Sequence, residues 1–185
     1  MFHLSRISIA LAPAALLLAG SLFAQKDPSV GGAAMYPTKN IVENASNSPE
    51  HTTLVAAVKA AGLVATLEGP GPFTVFAPVN SAFEKLPAGT VDTLLKRENK
   101  DQLTKVLTYH VVAGKVSSRD LIRKIKAGGG TAELKTVEGG KISASLVGGK
   151  VVLTDEKGGK ATVTIADVYQ SNGVTHVIDA VLLPN

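Results

Sequence analysis

Residues 73–83 (FTVFAPVNSAF) constrain the fold more than any other stretch of this chain. In an extended strand, Phe73 points to one face and Phe76 to the other. Large apolar groups on both faces are typical of a strand that is covered on both sides, inside a core. Pro78 lacks the N–H that a sheet ladder needs, so we predict that the strand ends there. The stretch contains no catalytic constellation, which indicates an architectural centre.

A short helix is predicted directly after this strand. Asn80 is expected to cap the free N–H groups of a helix that begins at Ser81. This helix carries Phe83 on its apolar side and ends before Pro87. Three of the chain's five Phe residues lie in the stretch, and we expect all three to anchor the core.

Length and composition favour one globular domain. The chain has 185 residues, of which 45% are hydrophobic and 18% are charged, enough for a single sizeable core. Aromatic residues make up only 4%, so the core must be mainly aliphatic. The absence of Cys excludes disulfides, thiolate metal sites and a Cys nucleophile.

Residues 1–24 resemble a secretory signal. Arg6 supplies the positive charge, residues 7–18 form an apolar run, and cleavage is expected after Ala24. Because the run is short for a membrane span, an uncleaved anchor is the less favoured alternative. We therefore predict a secreted or periplasmic protein whose mature chain has no integral membrane span.

Residues 25–36 are rich in Gly and other small residues, and they are predicted to form a mobile leader before one domain at 37–184. Capping and periodicity signals place the helices first in this domain. The predicted helices begin at Ser48, near Thr90, near Asn99 with Gln102 in a capping box, and at Ser117 with Asp120 in a second capping box.

From Thr131 onward the hydrophobic period changes from helical to two residues. The early strand at 73–77 must join this later sheet, because a lone strand leaves its backbone groups unpaired. The fold class is therefore α+β, a β-sandwich or bent sheet with helices packed on one side. The later strands, a β-meander with glycine-containing turns, are predicted at 132–137, 141–147, 150–154, 160–168 and 174–183.

Three segments resemble the signature motifs of the fasciclin domain. They are FTVFAPVNSAF (73–83), LTKVLTYHVV (103–112) and NGVTHVIDAVLLP (172–184). The resemblance spans about Tyr36 to Pro184. It implies a fasciclin-like twisted β-sandwich with a layer of helices and a secreted or cell-surface role in adhesion. One position departs from the family pattern, since Val79 stands where a hydroxyl residue is usual.

The resemblance also implies candidate contact residues. In animal members, the pair that matches Tyr109 and His110 is linked to integrin recognition, and the segment that matches Asn99, Lys100 and Asp101 is linked to adhesion. The residues themselves favour a structural role for the pair, because His110 continues the apolar stripe of its predicted helix. His110 would then be a buried neutral ring with hydrogen bonds inside the core.

The other motif positions are predicted to be structural. His176 and Asp179 have opposite parity on the last strand, so they cannot form a His–Asp pair on one face. The sequence contains no metal-ligand spacing, hydrolase elbow, phosphate loop or dinucleotide fingerprint. We expect no catalytic residue, no metal and no cofactor. The structural motif positions are Phe73, Phe76, Pro78, Asn80, Phe83, His176 and Asp179.

The charge pattern argues against nucleic-acid binding. The formal charge is +4, from 19 basic and 15 acidic residues, and the acids are interleaved with the bases. The basic side chains at 119–126 are expected to form a solvated helix face, and contact with anionic polymers or lipids is the weaker alternative. Asn44-Ala-Ser46 is a glycosylation sequon, which matters only in a eukaryotic host.

These observations predict a secreted, non-enzymatic adhesion module that contacts a protein or a surface polysaccharide, as a monomer or weak homo-oligomer. The alternative is a carrier of a small apolar or amphipathic ligand in a cleft between helices and sheet. A pocket lined by aliphatic residues would favour the carrier, whereas a solid core would favour adhesion. An enzyme ranks third, because the sequence contains no catalytic signature. It is not excluded, since a dispersed triad cannot be seen from sequence spacing.

Overall fold

The structure, a computed structural model, describes residues 28–185. Its helices are α1 (Ile41–Asn47), α2 (Thr52–Ala61), α3 (Val64–Glu68), α4 (Asn80–Glu84), α5 (Thr90–Leu94), α6 (Lys100–Tyr109) and α7 (Ser118–Ala127), with a 3-10 turn at Arg97–Asn99. Its strands are β1 (Ser29–Val30), β2 (Ala33–Ala34), β3 (Phe73–Pro78), β4 (Val111–Ala113), β5 (Thr131–Lys135), β6 (Lys141–Val147), β7 (Lys150–Thr154), β8 (Lys160–Gln170) and β9 (Gly173–Ile178).

One seven-stranded sheet organises the domain, in the order β4-β3-β9-β8-β7-β6-β5. β3 runs parallel to β9, and the other neighbouring strands pair antiparallel. The early strand therefore joins the C-terminal meander, which confirms the α+β prediction.

The sheet curls until its two ends approach each other. Thr136, directly after β5, forms an isolated bridge with Val112 of β4. The N–H of Val137 also donates to the carbonyl of Val111 at 2.7 Å. The sheet is thus mixed and nearly barrel-like, and the predicted sandwich is only approximate. Partial closure pairs backbone groups that two open edges would leave free.

β3 separates two cores. Val75 and Ala77 face a cluster formed with α1, α2, α3 and α6, whereas Phe76 lies in a second cluster between the sheet and α7. Phe76 is fully buried, but Phe73 and Phe83 are only half-buried at the margin of the first cluster. This corrects the expectation that all three Phe residues are core anchors.

Asn172 and Gly173 explain how β9 fits beside β3. The side chain of Asn172 accepts from the N–H of Ile41 at 3.1 Å and donates to the carbonyl of Leu67 at 2.7 Å. A Cβ on Gly173 would lie 2.1 Å from the carbonyl oxygen of Phe73. Only glycine therefore allows the two strands to approach this closely.

Asn80 caps a helix, but not the predicted one. It is the first residue of α4, and its Oδ1 accepts from the N–H of Thr53 in α2 at 3.1 Å. Its Nδ2 donates to the carbonyl of Pro49 at 3.0 Å. The predicted helix start at Ser48 is also wrong, because Ser48 ends α1 and α2 begins at Thr52.

The N-cap position of α4 has no capping side chain. Val79 occupies it with extended backbone, φ −74° and ψ 165°, the geometry in which a hydroxyl reaches a first-turn N–H. We expect Val79→Thr to raise the free energy of unfolding by about 0.5–1 kcal/mol, measured by urea denaturation. The remaining methyl keeps contact with the neighbouring apolar cluster. Val79→Ala is the control and should lower stability; a Thr variant no more stable than the wild type would contradict the prediction.

The N-terminal hairpin packs on the domain. β1 and β2 pair with each other, and Val30 and Met35 are buried against Val168 and Val177 of the sheet. The expectation of a mobile leader at 25–36 is therefore corrected for residues 28–36, whose apolar side chains contribute to the core.

The predicted signal peptide at 1–24 and its cleavage after Ala24 lie outside the described residues. Between residues 28 and 185, no helix has the length and apolar character needed to cross a bilayer.

One of the two predicted capping boxes is present. Ser117 and Asp120 form the box at the start of α7. Asn99 makes no cap, and its Nδ2 donates to the carbonyl of Thr93 at 2.7 Å.

β9 ends at Ile178, short of the predicted 183. The residues after it pair with side chains of the domain and not with a neighbouring strand.

Candidate functional site

Tyr109 lies at the end of α6, where the chain enters β4, and it is fully buried. Its hydroxyl donates to the carbonyl of Lys141 at 2.5 Å and accepts from the N–H of Glu156 at 3.2 Å. Desolvation by burial raises the pKa of Tyr109 to about 12. The hydroxyl connects α6 to β6 and to the β7–β8 turn, and no ligand can reach it from solvent.

His110 connects α6 to the C-terminal tail, which we define as residues 179–185. Its Nδ1 donates to the carbonyl of Val106 at 2.8 Å, and its Nε2 accepts from the N–H of Leu182 at 3.0 Å. These partners define a neutral ring, because a carbonyl needs a donor and an N–H needs an acceptor. The backbone N–H of His110 bonds to Leu107, so the ring satisfies a carbonyl that the helix leaves free.

Other side chains hold the C-terminal tail in place. The buried carboxylate of Asp155 accepts from the N–H of Leu183 at 2.9 Å. Lys105 Nζ donates to the carbonyl of Asn185 at 2.5 Å. Asp179 accepts from a backbone N–H of β8 at 2.7 Å. The tail is therefore a fixed part of the surface next to α6.

His176 is a second buried neutral ring, and it connects β9 to the main chain on either side of it in the core. Its Nε2 donates to the carbonyl of Val116 at 2.8 Å, and its Nδ1 accepts from the N–H of Asp167 at 3.2 Å. The ring stacks on Phe76 with the centroids 5.7 Å apart. Asp179 binds β8 instead, so His176 and Asp179 do not form a pair in the described structure.

Burial lowers the pKa of His110 to about 4, and it also lowers the pKa values of His51 and His176. Between about pH 6.5 and pH 4 the unfolded chain binds a proton on His110, whereas the folded chain does not. We therefore expect the free energy of unfolding to fall as the pH drops through this window, by on the order of 3 kcal/mol from His110. Urea midpoints at pH 7.0, about 5.5 and about 4.5 measure this loss, and equal midpoints would contradict it.

The exposed candidate residues lie at the other end of α6. Lys100 and Asp101 are exposed in its first turn, and Asn99 is half-buried before them. Asp101 lines a surface groove of about 470 Å³ between α5, α6 and the C-terminal tail. We call it the α5–α6 groove. Its lining consists of Thr90, Leu94, Asp101, Gln102, Lys105, Val106, Lys157, Leu183, Pro184 and Asn185.

An adjoining recess of about 270 Å³ extends the α5–α6 groove past α5 to Ala88 and Gly89. The two cavities share Thr90, Leu94 and Gln102 in their linings. Together they form one depression that is lined by residues from Ala88 beside α5 to Asn185 of the C-terminal tail.

The α5–α6 groove combines an apolar floor with charges of both signs. Leu94 and Val106 are buried at its base, while Asp101, Lys105 and Lys157 supply one carboxylate and two ammonium groups. Such a mixture is typical of protein contact surfaces, which have an apolar centre and a polar rim. The described lining contains no His, Ser or Cys.

The sequence indicates Asp101 but not the groove around it. The lining comes from α5, α6, the β7–β8 turn and the C-terminal tail, which are far apart in the chain. The tail lies beside α6 because of His110 and Asp155. The buried Tyr109–His110 pair thus positions the groove without lining it.

Two further candidate sites have no contact role in the described structure. Asn44 of the sequon is fully buried, and its amide exchanges hydrogen bonds with the main chain of Tyr36. A glycan therefore cannot be attached there in the folded domain. No group of three His, Asp or Glu side chains among residues 28–185 could hold a metal ion.

Comparisons with known proteins agree on one family. The model of the Fasciclin domain matches residues 49–184. Protein sll1483 of Synechocystis is 49% identical over 160 residues, covering 86% of this chain and 82% of the relative. The cell surface glycolipoprotein MPB83 of Mycobacterium bovis is 35% identical over 161 residues, covering 84% of this chain and 64% of the relative.

A solved structure shares the fold. It is a FAS1 domain pair from the insect cell adhesion molecule Fasciclin I, with a TM-score of 0.71 and 21% identity. The match covers 80% of this chain and 51% of that one, as expected for one domain of a pair.

Proposed function

Because this chain belongs to the fasciclin family, we propose that it is an exported adhesion module whose α5–α6 groove binds an extended segment of a surface protein. Members of the family are secreted or cell-surface adhesion-type proteins and are generally non-enzymatic. The observation that carries the proposal is the groove itself, the largest of the described cavities, with Asp101 exposed on its wall.

The position of the other candidate residues supports the same assignment. Tyr109 and His110 are buried and have their hydrogen bonds satisfied within the domain, so a partner cannot contact them without unfolding α6. Asp101 and Gln102 are exposed about two turns upstream on the same helix. Contact through the first turns of α6 leaves the buried pair intact.

The alternative function, a carrier of small apolar ligands, has less support. Two cavities lie between the helices and the sheet, and each holds about 30 Å³, room for one or two water molecules. Small-molecule sites are usually cavities of about 300–1,000 Å³. The interior is therefore a packed core, which favours surface contact over carriage.

The test is binding of the fluorescently labelled protein to intact cells of the source organism. We expect the double variant Asp101→Lys/Gln102→Arg to bind about tenfold more weakly, the loss of roughly 1.4 kcal/mol of contact. Glu68→Lys is the matched control, because Glu68 is exposed on α3, lies outside the groove and undergoes the same charge reversal as Asp101.

Protease treatment of the cells separates a protein partner from other surface material. The proposal predicts that treated cells lose the binding that the groove variant also loses. Equal binding by the wild type and the groove variant, or binding that survives proteolysis unchanged, would overturn it.

A further inference from the structure

The net charge of the chain is concentrated in one segment. Residues 115–126 hold five of the 19 basic residues and one of the 15 acidic residues, which leaves 14 of each sign elsewhere. The single acid, Asp120, is engaged in the capping box of α7 and pairs with Arg123. The formal charge of +4 therefore equals the charge of this segment, and the expected interleaving of charges holds only outside it.

α7 presents these cations to solvent in a row. Arg119, Arg123 and Lys126 follow the spacing i, i+4, i+7, which places them on one side of the helix. All three are exposed, and the row is about 10 Å long. Leu121 and Ile125 on the other side are only 0% and 1% exposed, packed against the sheet.

An exposed aromatic ring lies near the start of α7. Tyr169 of β8 is 37% exposed, and Lys115 Nζ lies 4.7 Å from its ring centroid. The nearby carboxylate of Asp167 already accepts from the N–H of Ser118 at 2.7 Å and from its hydroxyl. The carboxylate of Asp167 therefore holds α7 on β8 and does not pair with the row of cations on α7. That row keeps a net positive charge.

We propose that this surface, which we call the α7 face (Lys115, Arg119, Arg123, Lys126 and Tyr169), binds an acidic polysaccharide. The cations pair with carboxylate or sulfate groups along the polymer, and the Tyr ring packs against the apolar face of a sugar ring. A spaced row of cations suits a linear polyanion, since each charge meets another repeat of the chain.

A lipid surface fits the α7 face less well. Helices that lie on membranes bury their apolar side among the lipids, whereas the apolar side of α7 is already packed into the core. The α7 face shares no residue with the α5–α6 groove, so this second contact stands apart from the proposed function.

The experiment measures the affinity of the purified exported protein for heparin, a sulfated probe, and for polygalacturonate, a carboxylated probe. We expect the triple variant Arg119→Gln/Arg123→Gln/Lys126→Gln to lose at least about tenfold in affinity, and higher salt to weaken wild-type binding strongly. The control Lys59→Gln/Lys150→Gln/Lys160→Gln removes the same charge from other exposed positions and should stay within about twofold. Thermal melting verifies that both variants fold.

Tyr169→Ala keeps every charge and tests the aromatic contact. It should lower the affinity for at least one polysaccharide by several-fold, roughly the contribution that one aromatic contact makes to binding. Equal losses in the two triple variants would overturn the proposal, since they would show a non-specific charge effect. Tighter binding to phosphatidylglycerol vesicles or to single-stranded DNA than to either polysaccharide would also overturn it. None of these outcomes affects the cell-binding test of Asp101.

Discussion

Replacing Phe76 with Ala is expected to lower the free energy of unfolding by about 3–5 kcal/mol. The side chain is fully buried on the α7 side of β3 and stacks on His176. Its loss leaves a cavity next to the centre of the sheet. The surrounding chain cannot close this cavity, because hydrogen bonds to β4 and β9 fix β3 on both sides. Urea denaturation measures the change.

Phe83→Ala is the matched control for this experiment. This substitution removes the same number of atoms as Phe76→Ala. The side chain of Phe83, however, is only half-buried, at the margin of the helical cluster. We expect it to cost less than half as much as the loss of Phe76, in proportion to the apolar area involved. Equal losses for the two variants would contradict the assignment of Phe76 as the central anchor.

Replacing His110 with Ala is expected to cost about 3 kcal/mol, because it leaves the carbonyl of Val106 and the N–H of Leu182 unsatisfied in the interior. The same change should release the C-terminal tail, which would appear as faster hydrogen exchange at residues 182–185. Thr104→Ala is the control on the same helix. Its hydroxyl bonds only to Lys100 one turn before it, so the cost should stay within about 0.5 kcal/mol.

A His110→Ala variant that unfolds at the same urea concentration as the wild type and yet loses cell binding would contradict the structural role of this residue. Below its lowered melting temperature the variant should retain part of its binding, because Asp101 and the start of α6 remain folded. Binding and stability should then fall together as the temperature rises.

Local signals predict local structure well in this chain. The two-residue period places β6 and β7 correctly, and the Ser117–Asp120 spacing locates the start of α7. Apolar groups on both faces of β3 correctly indicate a strand between two cores. These predictions succeed because the residues that form each element are neighbours in the sequence.

Predictions fail where a side chain serves a distant element. Asn80 has the chemistry of a cap, but it reaches α2 and not the helix that follows it. Val30 and Met35 belong to a stretch with leader composition, yet β9 and β8 offer them an apolar surface. Composition and spacing contain no information on such long-range partners.

In the candidate site, too, the sequence indicates the local features but not the long-range contacts. The family resemblance points to both ends of α6, and only burial distinguishes the structural end at His110 from the accessible end at Asp101. The groove itself depends on the docking of the C-terminal tail by Asp155 and His110. The sequence alone does not reveal that contact.

Site-specific photo-cross-linking on intact source cells shows whether the α5–α6 groove is the contact surface. A photoreactive residue replaces Gln102, which lines both parts of the groove, or Glu68, which is also exposed and lies on α3 outside the groove. We expect position 102 to form a cross-link to a surface protein and position 68 to form none. Equal cross-linking from the two positions, or cross-linking from position 68 alone, would contradict it.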